Sequence, residues 1–254
     1  MPEAVLHEVV NGVATLTLDR PDNRNALSAE LVNALGDALA RAEADPDVRL
    51  VVLTNSGPAF CAGADLKGGG SAEPRYTLPQ LFSAIQQSRL PVIGRIAGHC
   101  SGGGVGLAAV CDIAIAAAEV QLGFTEVRIG VIPAMISVVC LPKMRQGDAM
   151  ELFLSGEKIS AARAVEVGLL NHVVPAAQLD MAVDAMCTRL LRGGPEALGM
   201  AKQLVYTVHG MDRAEAYAWT QAVSLERFAT AEAAAGMAAF REKRDAPWVP
   251  GADQ

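Results

Sequence analysis

Aromatic residues are scarce in this chain: Phe, Trp and Tyr make up 4% of it, while alanine is abundant. A core built on large rings is excluded, and close packing of helices through small side chains is expected. Histidine is rare, and His7, His99, His172 and His209 are too scattered for a zinc site. The cysteines (Cys61, Cys100, Cys111, Cys140, Cys187) are odd in number and lack CxxC spacing. They read as reduced thiols of an intracellular protein. No basic cluster stands out and the net charge is −7, which argues against nucleic acid as a main partner without excluding a locally held phosphate. No apolar run reaches membrane-spanning length. The opening MPEAVLHEVV has no basic region followed by an apolar core, so no signal peptide is expected. A soluble cytoplasmic protein follows as the expectation, with no membrane partner and no metal.

The chain does have hydrophobic mass: 51% of 254 residues, enough for one large domain or a domain with a small extension. Asn11-Gly12 between β-like runs Ala4–Val10 and Val13–Leu18 predicts a hairpin. The stretch RPDNRNALS (Arg20–Ser28) is polar and turn-rich, with Ser28 placed to cap a helix over Ala29–Ala44. Val48–Thr54 reads as a buried strand, Asn55–Leu66 as a loop and Gly68–Ser71 as a flexible Gly/Ser patch. Leu78–Ser88 reads as helix, Pro91–Ala97 as strand, Gly102–Val110 as helix and Asp112–Ala117 as strand. This alternation predicts an α/β fold with parallel strands and crossovers. From Ser160 onward the pattern is mostly helical: Ala161–Val167, Ala177–Leu191, Pro195–Val208, and Met211–Arg244 with a break near Thr230. Only Asn171–Val174 interrupts it as a short strand. No internal repeat is visible in the sequence.

The run SGGGVGLAAVCD (Ser101–Asp112) places glycines at the mouth of a helix. They can serve close helix packing alone. Gly104–Ala109 also fits the short GxGxxA pattern of dinucleotide sites, with Glu119 as the acidic partner. That pattern is weak, and it lies far from the first βαβ unit. A third possibility is an anion site, because free N–H groups and the helix dipole suit a phosphate or a developing oxyanion. Phe60–Leu66 is a second small-residue turn after a strand. Two such loops can aim one N–H each at a shared point, as a thioester oxygen requires when it becomes an enolate.

AFCAGADLK (Ala59–Lys67), GHCSGGGVGLAAVCDIAIA (Gly98–Ala116), FTEVRIGVIP (Phe124–Pro133), RPDNRNALS and AFREKR (Ala239–Arg244) together resemble the crotonase superfamily, the enoyl-CoA hydratase/isomerase family. The similarity covers essentially the whole chain in order. It implies a crotonase (ClpP-like) spiral α/β fold of repeated ββα units with a C-terminal helical trimerisation region. The implied division is an α/β core with the acyl-CoA site over 1–195 and a helical oligomerisation region over 196–254. It further implies an acyl-CoA substrate, no separate cofactor, and a homotrimer or dimer of trimers.

By the same resemblance the N–H groups of Ala64 and Gly103 form an oxyanion hole, and Glu126 is a catalytic acid/base. Each N–H would be worth roughly 3 kcal/mol in the transition state. Ala62, Ala64, Asp65, Leu66, Lys67 and Gly103 would line the substrate groove, with Phe240 and Lys243 reaching the nucleotide end, often from a neighbouring subunit. Asp65 can equally be a turn residue, Lys67 and Lys243 solvated charges, and Phe240 a core aromatic. Glu126 among apolar neighbours should have a raised pKa. Acyl specificity would sit in Met135, Ile136 and the Gly68–Leu81 region.

One position departs from the family. In two-glutamate hydratases a glutamate stands three residues after the central glycine of the oxyanion loop, and here that place holds Gly106. Asp112 is not a ready substitute, since the Cys-Asp pair looks structural in the family. One carboxylate with an oxyanion hole suits a Δ3,Δ2-enoyl-CoA isomerase. Yet GGGVGL…FTEVRIGV-Pro-Ala, followed by Ile136-Ser137, is similar to a bacterial subgroup described as enoyl-CoA or methylglutaconyl-CoA hydratases. The expectation is an enoyl-CoA hydratase first and the isomerase second. A non-catalytic acyl-CoA-binding protein stays open as a different class.

Overall fold

A computed structural model of the chain describes residues 3–66 and 72–251. The hairpin at Asn11-Gly12 forms as expected, from β1 (Val5–Val10) and β2 (Val13–Leu18). Asn11 and Gly12 both take positive φ, as a tight hairpin turn demands. Helix α1 (Ala29–Ala44) follows, its N-terminus capped by Ser28, whose hydroxyl accepts from the Leu31 N–H. Next come β3 (Leu50–Asn55), β4 (Ala59–Cys61) and α2 (Leu78–Gln87), the last opened by a reciprocal Thr77–Gln80 capping box. The pattern recurs as β5 (Val92–Ile96), β6 (His99–Ser101) and α3 (Gly103–Val110). It recurs again as β7 (Ile113–Ala117), β8 (Gln121–Gly123) and α4 (Ala134–Cys140). The ββα unit is therefore a repeat of structure that leaves no trace in the sequence.

Each unit splits its strands between two sheets. The long strands join a six-stranded sheet in the order β1-β2-β3-β5-β7-β10, parallel except for the β1–β2 hairpin, with β10 spanning His172–Val174. The short strands form a four-stranded sheet β4-β6-β8-β9, where β9 is Lys158–Ser160. This second sheet corrects the reading of 55–66 as a loop. Its strands are three residues each, too short for an alternating pattern to register.

Helices α5 (Gln146–Ser155), α6 (Ala161–Glu166) and α7 (Leu179–Leu191) complete the α/β body. Strand β3 is buried at every position, as expected of a central parallel strand covered on both faces. Helix α3 is buried over all residues but its first, and it packs on β4, β6, α2 and α4. Three helices close the chain: α8 (Pro195–Val208), α9 (Arg213–Phe228) and α10 (Ala231–Glu242). The break between the last two falls at Thr230, whose hydroxyl caps α10 by accepting from the Ala233 N–H. Among the described residues no helix is long and apolar enough to cross a membrane.

Candidate active site

The short sheet positions the site. Strands β4, β6 and β8 run parallel, with Cys61 paired to Cys100, Cys100 to Leu122 and Ser101 to Gly123. All three therefore end at about the same level. From their C-terminal ends emerge Ala62-Gly63-Ala64, Gly102-Gly103 and Phe124-Thr125-Glu126. Ligands collect at the C-terminal ends of parallel strands because the loops there converge and the following helix presents its N-terminus.

The first two loops are in van der Waals contact. A methyl group on Gly103 would stand 3.5 Å from the Gly63 Cα and 3.9 Å from the Ala64 nitrogen. Gly63, at φ +85°, has a backbone that side chains rarely adopt, and a Cβ there would lie 2.7 Å from the Ser101 carbonyl oxygen. Among the described residues, neither the Ala64 nor the Gly103 N–H has a backbone acceptor. Gly103 opens α3, so its N–H is one of the donors that a helix start leaves free. Two unspent donors on touching loops are able to bind an anion together, and the positive end of α3 would add to that.

Glu126 comes over the same point from the third strand. It sits in a 3-10 turn, Thr125–Ile129, anchored by buried Phe124, whose ring lies 4.3 Å from that of Phe153. A Cβ on Gly102 would stand 3.0 Å from Glu126 Oε1, and Gly102 has φ +52°. Glycine there both allows the turn and makes room for the carboxylate. Glu126 Oε2 is buried and has no hydrogen-bond partner among the described residues. Burial pushes the Glu126 carboxyl above the ordinary range, partly opposed by a hydrogen bond from its own backbone N–H. An unpartnered buried carboxylate oxygen is costly, and such a group in a cavity wall is a candidate for function. Cys61, beneath the first loop, is no rival nucleophile, because burial raises its thiol to about 12.

The glycines of α3 itself face protein. A methyl on Gly104 would fall 2.0 Å from the Cys61 carbonyl oxygen, and one on Gly106 would fall 2.4 Å from Ile136 Cγ2. Both positions are buried, so no pyrophosphate can approach them, and the dinucleotide pattern is overturned. The space above Gly106 is filled by Ile136 and by Phe82, whose Cε2 would be 3.2 Å from that methyl. A side chain at position 106 thus has no room, because Ile136 of the facing helix α4 already occupies that space.

A cavity of about 450 Å³ opens over these groups. Ala62, Ala64, Leu66, Gly103 and Glu126 all line it, as do Met135 and Ile136. Asp65 lies in the same loop but outside the lining, and Lys67 and Gly68–Ser71 fall outside the described residues. Phe240 and Lys243 do not line the cavity: both are exposed, on and just after α10. Phe240, 84% exposed, is not a core aromatic. The Gly68–Leu81 region expected to shape the pocket contributes Pro74, Tyr76 and Leu78 to the lining, whereas Leu27 and Val32 were not expected from the sequence. The tyrosine ring packs against Gly36 of α1, and Asn33 secures its segment by accepting from the Arg75 and Tyr76 N–H groups at 2.8 and 3.2 Å. Among the described residues no cluster of His, Cys, Asp and Glu could hold a metal.

Comparison with known proteins meets this geometry from another direction. The sequence profile of a family described as enoyl-CoA hydratase/isomerase matches residues 8–250. The chain belongs to that family. It is 34% identical over 251 residues to the "Probable enoyl-CoA hydratase echA8" of Mycobacterium bovis, covering 95% of this chain and 96% of that one. It is 34% identical over 241 residues to the mitochondrial enoyl-CoA hydratase of Pongo abelii, covering 93% and 83%. The crystal structure of an enoyl-CoA hydratase from Mycobacterium smegmatis superposes with a TM-score of 0.89 at 33% identity, over 96% of this chain and 98% of that one. The α/β architecture is thus the crotonase fold.

Proposed function

We propose that this family member adds water reversibly across the double bond of a 2-enoyl-CoA thioester. Glu126 acts as the sole carboxylate, and the Ala64 and Gly103 N–H groups hold the enolate oxygen. The observation that carries the reading is the unpartnered Glu126 Oε2, buried over the point where the two free N–H groups meet. The names of the relatives support hydration.

The chemistry needs no cofactor. The two N–H groups bind the thioester oxygen more tightly as it gains charge, which lowers the barrier to an enolate. The water oxygen adds to C3 while Glu126 accepts a proton from that water. The carboxyl then returns the proton to C2, so the two hydrogens of water end on the new hydroxyl and on C2. A raised pKa suits this shuttle, since the same group must accept and release a proton near neutral pH.

Ile136 over Gly106 favours a second reading. With no second carboxylate to hold water, Glu126 would move a proton from C2 to C4 of a 3-enoyl thioester through a dienolate held by the same two N–H groups. In either case the helical stretch from 196 onward serves oligomerisation, outside the reacting centre.

Crotonyl-CoA and a 3-enoyl-CoA, assayed in parallel by the absorbance of the conjugated thioester, separate the readings. Loss of conjugation from crotonyl-CoA supports hydration, and conjugation arising only from the 3-enoyl substrate supports isomerisation. Glu126→Gln is expected to lower kcat by at least about 10²-fold, the lower end of general acid–base contributions, with acyl-CoA binding retained. The wild-type rate should fall as pH drops through the raised carboxyl pKa, because the base is then protonated. Full turnover in Glu126→Gln would remove Glu126 from the mechanism. Tight binding with no turnover of any thioester would make the protein a binder.

A further inference from the structure

The segment RPDNRNALS takes no part in the chemistry described above, yet it runs alongside the first oxyanion loop over its whole length. Asn25 is fully buried, at φ +52°, directly after Arg24 at φ +57°. Its side-chain amide donates to the carbonyls of Ser56 and Ala59 at 3.1 and 2.8 Å, the two sides of the turn that leads into β4. Its Oδ1 accepts from the Arg20 N–H at 2.7 Å, which closes its own loop. The neighbouring backbone continues the seam: the Ala62 N–H donates to the Arg24 carbonyl at 3.0 Å, and the Leu27 N–H to the Gly63 carbonyl at 2.7 Å. A parallel bridge between Leu27 and Ala64 carries it on.

The seam engages the donor at 62 and the acceptor at 63 but passes over the Ala64 N–H, which has no backbone acceptor among the described residues. We infer that Asn25 is a positioning residue for the oxyanion hole: its buried amide locks a left-handed loop against β4 so that the Ala64 N–H points into the cavity. This rests on the reading of Ala64 as an oxyanion donor. A buried amide with three satisfied hydrogen bonds admits one arrangement, and it fixes the side of the small-residue loop that faces away from the cavity. A misaimed donor loses its value in the transition state while ground-state contacts survive.

The test uses Asn25→Gly and Asn25→Asp in the full chain. Glycine keeps the left-handed backbone and removes the amide. Aspartate keeps the acceptor for Arg20 and loses both donors. Positioning predicts that both variants lose kcat by about 10²-fold, the effect of a displacement near 1 Å, with KM little changed. In the Glu126→Gln background, infrared spectra of bound crotonyl-CoA carrying a labelled thioester carbonyl give a readout independent of turnover. The carbonyl band shifts to lower frequency in the parent and loses most of that shift with Asn25→Gly. Full kcat and an unchanged band in Asn25→Gly would overturn the inference, since only the backbone conformation would then matter. If both variants fail to fold, amide exchange in the wild type decides. Leu27 and Ala62 should exchange slowly and Ala64 fast, becoming slow on acyl-CoA binding, and equal rates at all three overturn the seam. An unshifted carbonyl in the parent would instead sink the oxyanion reading, whatever the exchange pattern shows.

Discussion

At position 106 a missing side chain defines the site more than any present one. A buried glycine opposite a buried isoleucine is a matched pair: the Cβ that glycine lacks would meet Ile136 Cγ2 at 2.4 Å. Gly106→Ala is therefore expected to cost about 1–3 kcal/mol by overpacking. Ile136→Ala alone leaves a hole, but combined with Gly106→Ala it should recover much of that loss. A double-mutant cycle on urea-unfolding midpoints measures the coupling, and additive effects would mean that the two side chains do not share this space. The absence of a glutamate at 106 is legible in the sequence, and Ile136 is expected there as a pocket wall, but their contact is not, because the two positions belong to different helices and touch only in the fold.

At the scale of elements, a buried set of polar contacts ties helix α8 to the core. Lys202 Nζ lies 2.8 Å from Asp112 Oδ2 and donates to the carbonyls of Ile85 and Leu90 at 2.7 and 3.1 Å. Asp112 also accepts from the Val92 N–H at 2.7 Å and from the Tyr206 hydroxyl at 3.2 Å. Burial pushes the Asp112 carboxyl up, and the Lys202 ammonium pulls it back down. These contacts agree with the structural role expected of Asp112. Lys202→Met leaves a buried carboxylate and two carbonyls without their cation, a loss of about 3–5 kcal/mol. Chemical denaturation at fixed protein concentration checks it, and a loss under about 1 kcal/mol would mean that water replaces the ammonium.

At the scale of the molecule, the last helices look unfinished. Helix α9 buries no residue and α10 buries only Ala239. Tyr217, Leu225, Phe228 and Phe240 stand 66–84% exposed on them. Isolated helices draw their stability from packing an apolar face, so these faces need a cover. The expectation is that further copies of the chain cover them, so that trimers or dimers of trimers are the species seen in analytical ultracentrifugation. A stable monomer at micromolar concentration would show that the exposed faces tolerate water and would remove the oligomerisation role of the stretch from 196 onward.

Several elements are local enough for sequence to decide alone. Helices α1 and α8 fall on the boundaries expected for them, because capping by Ser28 and proline at the first helical position act within a few residues. The hairpin follows from Asn11-Gly12 for the same reason, and motifs kept in order along the chain were sufficient to indicate the family. What sequence alone could not decide depends on contacts between residues far apart. Strands of three residues carry too little pattern, so the sheet that levels the three loops existed only once β4, β6 and β8 had paired. The buried, unpartnered state of Glu126 and the filling of the space over Gly106 by Ile136 are tertiary facts of the same kind. So is the seam that ties Asn25 to Ala59, 34 residues away. Local conformation is set by neighbours in the chain, whereas burial, pKa and the aim of a backbone donor are set by whatever the fold brings alongside.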